Sequence, residues 1–188
     1  NVADFKSQLA VCKALGAGCI GTETTNMIKQ PAGTTREKAQ DLLCRSLAEI
    51  LPVAEELGVL VAVEPVTYHS MNSPAAVRHI LDTLRSSNLK VIFDMSNLVD
   101  AGSVDHQAAI WDQVGELWGD QIVAVHFKGQ SFKPDGSLLS TSLEESRTDY
   151  AGAFAMLHQL PQAVLPVLRE EAVPARAASD IAFMKGYF

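Results

Sequence analysis

Apolar residues fall along this chain in short consecutive runs, and each run closes on a polar residue. VLVAVEPV closes on Glu64, KVIFDMSN on Asp94, IVAVHFKG on His126 and PVLREEA on Glu170. Positions that are apolar one after another, not alternately, mark a strand buried on both faces, as in a parallel sheet covered by helices. The spacing predicts strands at Cys19–Thr24, Val59–Val66, Val91–Asp94, Ile122–Lys128 and Ala163–Glu170. Between them the pattern changes to a helical period.

The first helix runs from Asp4 to Leu15, with Phe5, Leu9, Val11, Cys12 and Leu15 as its apolar positions. A long helix starts at Thr35 and turns Leu42, Leu43, Leu47, Ile50, Leu51, Ala54 and Leu57 inward, until Gly58 closes it. Pro52 lies inside it and cannot donate to the carbonyl of Ala48, so a kink is expected there. Ser73-Pro74 is a helix start, an N-cap serine followed by proline at the first helical position. Val77, Ile80, Leu81 and Leu84 form that helix's apolar face. A helix from Asp105 to Trp118 carries Ile110, Val114, Leu117 and Trp118 inward, and another from Asp149 to Leu160 carries Tyr150, Phe154, Leu157 and Leu160. Val173-Pro174 opens the last, with Ala178, Ile181, Ala182 and Met184 facing in. The region Gly129–Thr148 shows no period, only a turn signal at Pro134-Asp135-Gly136. Its length suggests a lid or a substrate-binding loop. Helix and strand alternate until five parallel strands are placed, which makes an α/β fold, and one domain over residues 1–188 accounts for the chain.

Composition narrows the class of function. The chain has 188 residues, 47% of them hydrophobic, and a net charge of −7 with no run of Lys or Arg. An acidic surface argues against nucleic acid as a partner. No apolar run reaches the length of a membrane span. Cys12, Cys19 and Cys44 show no C-x-x-C spacing and read as reduced, buried thiols of a cytoplasmic protein. Neither GxGxxG nor a P-loop is present, so nothing points to a dinucleotide or a nucleoside triphosphate.

The four run-closing residues carry the candidate chemistry. In α/β folds the C-terminal edge of the sheet holds the active site. Glu, Asp, His and Glu are ligand types for a divalent cation. Glu64, Asp94, His126 and Glu170 are therefore expected to converge on one metal. Three carboxylates and one imidazole suit Mn²⁺ or Mg²⁺, with Co²⁺ or Zn²⁺ as alternatives. Other residues near the strand ends are candidates for substrate contact. His69 either binds substrate or lies at the surface. Asn97 orients the site or caps a turn. Lys128 meets a hydroxyl or phosphate, or pairs with an acid. Glu23 ends the first strand. His79, His106 and His158 fall in helices and are expected to be structural or solvated. Glu171 should face away from Glu170, because successive strand residues alternate.

The set VAVEPV, VIFDMSNL, VAVHFKG and VLREE resembles the xylose-isomerase-like TIM barrels, the sugar phosphate isomerase/epimerase group. The closest echo is EPVTYHSMNSP followed by NLKVIFDMSNLVD. The resemblance covers essentially the whole chain and implies a partial (β/α)8 barrel. In that family the last four strands supply Glu, Asp, His and Glu to a divalent metal, which carries over to Glu64, Asp94, His126 and Glu170. The complete barrel has eight strands in about 250 residues. The five strands here correspond to its fourth to eighth, so the first three have no counterpart. Exposed strand edges then imply association with another copy, or completion by a missing N-terminal segment. Two motifs depart from the family. Lys128 is followed by Gly129 where the family often has Asp, and LEESRTDY stands where a Gly-rich turn is usual.

The resemblance implies a metal-dependent sugar or sugar phosphate isomerase or epimerase. A proton would move beside a carbonyl through an enediolate, with Glu64 and Glu170 as the acid–base pair. Rival readings are a dehydratase using the same enediolate, an abasic-site endonuclease of the same superfamily, and a non-catalytic truncated fragment. The endonuclease needs a zinc cluster with many histidines and a cationic face, whereas only His69 and His126 lie near strand tips.

Overall fold

The computed structural model describes residues 1–162 and 165–188. Contacts divide the chain into two compact units, Asn1–Ile92 and Phe93–Phe188. The main sheet has five strands in the order β1-β2-β3-β4-β7. They are β1 (Cys19–Glu23), β2 (Leu60–Glu64), β3 (Leu89–Asp94), β4 (Ile122–Phe127) and β7 (Val167–Arg169).

In the first unit, α1 (Val2–Ala14) starts in a capping box, in which the Asn1 side chain accepts from the Asp4 N–H. It buries Leu9 and Cys12 but leaves Val11 and Leu15 exposed, so its inward face is narrower than the apolar pattern implied. β1 and β2 are parallel, with Cys19 opposite Leu60 and Glu23 opposite Glu64. α2 (Arg36–Leu57) is capped by the Thr35 side chain and runs as one helix across Pro52. It ends at Gly58, whose φ of 65° is the left-handed turn that glycine adopts without strain. Leu47, Ile50, Leu51 and Ala54 form its buried stripe, while Leu42 is exposed.

β2 follows at once, and nearly every residue in it is buried, as its consecutive apolar run requires. The loop after β2 is tied down: Arg36 Nε donates to the His69 carbonyl at 3.1 Å and Gln40 Nε2 to the Ser70 carbonyl at 2.8 Å. α3 (Pro74–Leu84) starts at Ser73, whose hydroxyl accepts from the Ala76 N–H. It buries Val77, Ile80 and Leu81. Asn88 then donates to the carbonyls of Ala54 and Val59, linking the end of α2 to the entry of β3. β3 pairs in parallel with β2, Val63 opposite Val91.

In the second unit, Phe93 packs edge-on against Trp111 and Trp118, both on α4 (Ala108–Trp118). Trp111 is the main buried residue of that helix that the periodicity missed, and Ile110 is only partly covered. β4 pairs in parallel with β7, His126 opposite Leu168 and Phe127 opposite Arg169. The region read as aperiodic contains a hairpin, β5 (Gln130–Phe132) and β6 (Leu138–Ser140), around the Pro134-Asp135-Gly136 turn. Three-residue strands are too short to display an alternation. α5 (Tyr150–Leu157) is capped by Asp149, and Phe127 stacks on Tyr150 at 4.4 Å between ring centres.

The last strand is described only from Val167 to Arg169, and residues 163 and 164 of its expected span lie outside the described residues. Of the four residues expected to face inward on the final helix, α6 (Ala177–Met184), only Met184 is buried, and Ala178, Ile181 and Ala182 are exposed. Met184 and Asp180 are buried, whereas Ile181 is 52% exposed. Asp180 receives Arg169 Nε at 2.8 Å, an ion pair that joins that side of the helix to β7.

Candidate metal centre

Glu64 is the last residue of β2 and Asp94 the last of β3. His126 is next to last in β4, and Glu170 directly follows β7, where its N–H donates to the Phe127 carbonyl at 3.0 Å. Each of the four offers one ligand atom, and these atoms all lie within 4.8 Å of one another. Metal–ligand bonds of roughly 2.0–2.6 Å place opposite ligands about 4 to 5 Å apart. Three carboxylates and an imidazole at this spacing therefore fit a common divalent cation.

Burial grades across the group. Glu64 and Asp94 are buried. The His126 side chain is 12% exposed and that of Glu170 is 30% exposed, so Glu170 is the most open of the four to solvent. Packing carboxylates together at low exposure is costly unless cations and donors offset their repulsion. Several do. Lys128 Nζ lies 3.3 Å from Asp94 Oδ2 and 3.3 Å from Glu170 Oε2. His126 Nδ1 lies 3.6 Å from Glu170 Oε1, too far for a hydrogen bond. The Asn97 N–H donates to Asp94 Oδ1 at 3.1 Å, within the short 3₁₀ turn Ser96–Leu98.

Lys128 is held from its backbone. Its carbonyl accepts from Ser96 Oγ at 2.8 Å and from the Tyr150 hydroxyl at 2.7 Å. Ser96 Oγ in turn accepts from the Thr148 hydroxyl at 2.9 Å, and Gln130 Nε2 donates to the Ser96 and Val99 carbonyls. Burial pushes the Tyr150 hydroxyl up to about 12. Sequence reasoning missed Ser96, Gln130, Thr148 and Tyr150 as supports of the site. A signal for one of them was available: His126, Lys128 and Gln130 continue a polar alternation past the end of β4.

The other candidates are placed as follows. His69 is buried, which rules out the surface alternative, and its Nε2 lies 3.9 Å from Oε2 of Glu23. Its ring meets that of Tyr68 edge-on at 4.9 Å. Glu23 is open to solvent, its side chain 58% exposed. His79, His106 and His158 are exposed, but only His79 lies within a helix; His106 precedes α4 and His158 follows α5. Glu171 is also exposed and adopts a positive φ of 55°, while Glu170 joins the four residues whose candidate ligand atoms converge.

A family model described as xylose isomerase-like TIM barrel matches residues 1–186. The chain belongs to that family. Its five parallel strands and their helices match part of an α/β TIM barrel of the xylose isomerase-like type, whose active sites sit at the C-terminal ends of strands. Among solved structures, IOLI protein with a bound zinc atom is similar at a TM-score of 0.76 and 19% identity, over 99% of this chain and 66% of that one. A D-tagatose 3-epimerase-like protein gives 0.77 and 14%, over 99% of this chain and 67% of that one. A xylose isomerase-like TIM barrel protein from Mycobacterium smegmatis, in complex with magnesium, gives 0.70 and 15%, over 99% and 66%. At these identities the likeness is one of fold, and this xylose isomerase-like chain spans about two thirds of their length, 66% in the first case. No curated protein matches it significantly. Among the described residues no helix is long and apolar enough to cross a membrane.

Proposed function

We propose that this xylose isomerase-like chain carries the metal centre of a sugar, or sugar phosphate, isomerase or epimerase. Glu64, Asp94, His126 and Glu170 bind one divalent cation, and Glu64 and Glu170 also move the substrate proton. The observation that carries this reading is the convergence of four ligand atoms within 4.8 Å from four separate strand ends. The hard oxygen donors favour Mn²⁺ or Mg²⁺, and the zinc and magnesium of the two structural neighbours are both divalent. Bound there, the cation would act as a Lewis acid toward the substrate's carbonyl.

The rest of the chemistry falls to the chain's own side chains. One of Glu64 and Glu170 takes the proton from the carbon beside the carbonyl, and the electron pair left behind delocalises onto the carbonyl oxygen. The other returns a proton. Return to the same carbon from the opposite face inverts it, whereas return to the former carbonyl carbon isomerises the sugar, the hydroxyl of the first carbon passing its proton to the enediolate oxygen and becoming the new carbonyl. The partial exposure of Glu170 suits a group that must meet an incoming substrate. Lys128 and Asn97, both in contact with Asp94, are the candidate contacts for substrate oxygens. His69 with Glu23 is the second candidate contact.

The test is metal content together with turnover. The purified chain is stripped with chelator, reloaded with Mn²⁺ and assayed on a panel of ketoses with product analysis. One cation per chain is expected. Glu64→Gln and Glu170→Gln should each lower turnover by about 10²-fold or more, while Glu171→Gln leaves it intact. A chain that takes up no divalent cation, or whose turnover survives both Gln substitutions, sinks the proposal.

A further inference from the structure

The site holds a cation of its own. Lys128 is buried, and its ammonium stands 3.3 Å from both Asp94 Oδ2 and Glu170 Oε2, two carboxylates of the proposed ligand set. We infer that Lys128 is a tethered counter-cation of the metal centre, which holds Asp94 and Glu170 together and weakens the binding of the ion that shares them. The inference rests on the metal reading above and goes beyond it by giving Lys128 a role toward the metal, beside its candidate contact with the sugar.

Three observations support it. The first is geometry: the ammonium lies at the same carboxylates that would coordinate the metal, so the two cations compete for those oxygens and repel each other. The second is anchoring. The Lys128 carbonyl is clamped by Ser96 and by Tyr150, so the side chain is delivered from a fixed point and not from a mobile loop. The third is charge. Three carboxylates offset by one ammonium leave a site of charge −2, which balances a divalent ion. Without the ammonium, the same pocket would favour a higher charge and hold any cation more tightly. A metal centre whose affinity is moderated in this way keeps a carboxylate such as Glu170 less completely committed to the ion, which acid–base work at that residue requires.

The test measures Mn²⁺ affinity, not activity. Free Mn²⁺ is titrated by electron paramagnetic resonance against the chelator-stripped chain, its Lys128→Met and Lys128→Gln variants, and Lys128→Arg. Removal of the charge should tighten Mn²⁺ binding by about tenfold or more, whereas Lys128→Arg should stay within about threefold of the parent. Thermal melting supplies a readout that survives poor folding. The Met variant should melt lower than the parent without metal, because buried Asp94 has lost a counter-charge, and should gain more from added Mn²⁺. Equal or weaker Mn²⁺ binding by the Met and Gln variants overturns the inference and leaves the metal reading standing. Absence of Mn²⁺ binding in the parent and in every variant overturns both.

Discussion

The hydroxyl of Tyr150 donates to the backbone carbonyl of Lys128 at 2.7 Å. This contact ties the first turn of α5 to the residue that bridges Asp94 and Glu170. Burial is the chief reason that the hydroxyl titrates at about 12 in place of the usual 10.0. The folded state therefore holds this proton more tightly than the unfolded state does. The stabilisation is complete below about pH 10 and is lost as pH rises toward 12. Tyr150→Phe should cost about 1 kcal/mol at neutral pH and should weaken less steeply than the parent above pH 10. Urea denaturation of both proteins at pH 8, 10 and 11 measures this, and a constant difference across that range would count against it.

Arg169, half-buried, and Asp180, buried, form an ion pair, Nε to Oδ2 at 2.8 Å, that joins β7 to α6. Arg169 also donates to the carbonyls of Phe127 and Glu170, which places it one peptide from a proposed metal ligand. Removing one member of a buried pair strands the other charge, at a cost of about 3–5 kcal/mol. Asp180→Ala should lower stability by that order, and adding Arg169→Met should restore much of the loss. Denaturant midpoints of the single and double variants decide it. A single-variant loss under about 1 kcal/mol would show that the pair is effectively solvated.

Gly129 is a point of backbone contact. A Cβ there would run into the carbonyl oxygens of Thr141 and Ser142, while the Gly129 carbonyl accepts the Thr141 N–H at 3.1 Å. Backbone cannot move aside as a flexible side chain can. Gly129→Ala should therefore cost about 1–3 kcal/mol and loosen the β5–β6 hairpin. Hydrogen exchange at the amides of Gln130–Ser140 should accelerate in the variant, and unchanged protection would refute the steric argument.

The elements that could be read from sequence are those whose signal is local. LVAVE and LKVIFD are apolar on consecutive positions because both faces of β2 and β3 are covered. Ser73-Pro74 and Gly58 mark helix ends because capping and a left-handed turn are decided within one or two residues. Where distant residues decide, the reading slipped. The buried side of α6 carries Asp180, which meets Arg169 in an ion pair that no periodicity encodes. Val11 and Leu15 belong to an apolar pattern on α1, yet only Leu9 and Cys12 reach the interior. His69 is buried through a loop that Arg36 and Gln40 hold from another helix.

The sequence by itself determined which residues end the strands, because a run of buried apolar positions must stop where the chain meets polar surroundings, and Glu64, Asp94, His126 and Glu170 stand there. It also determined the alternation that puts Lys128 on the side of His126. Only the tertiary structure decided that the ligand atoms lie within 4.8 Å of one another and that the Lys128 ammonium stands 3.3 Å from two of the carboxylates. Spacing along a chain sets which face a residue takes, but distances between strand tips depend on how the strands pair and on the bonds that clamp each tip.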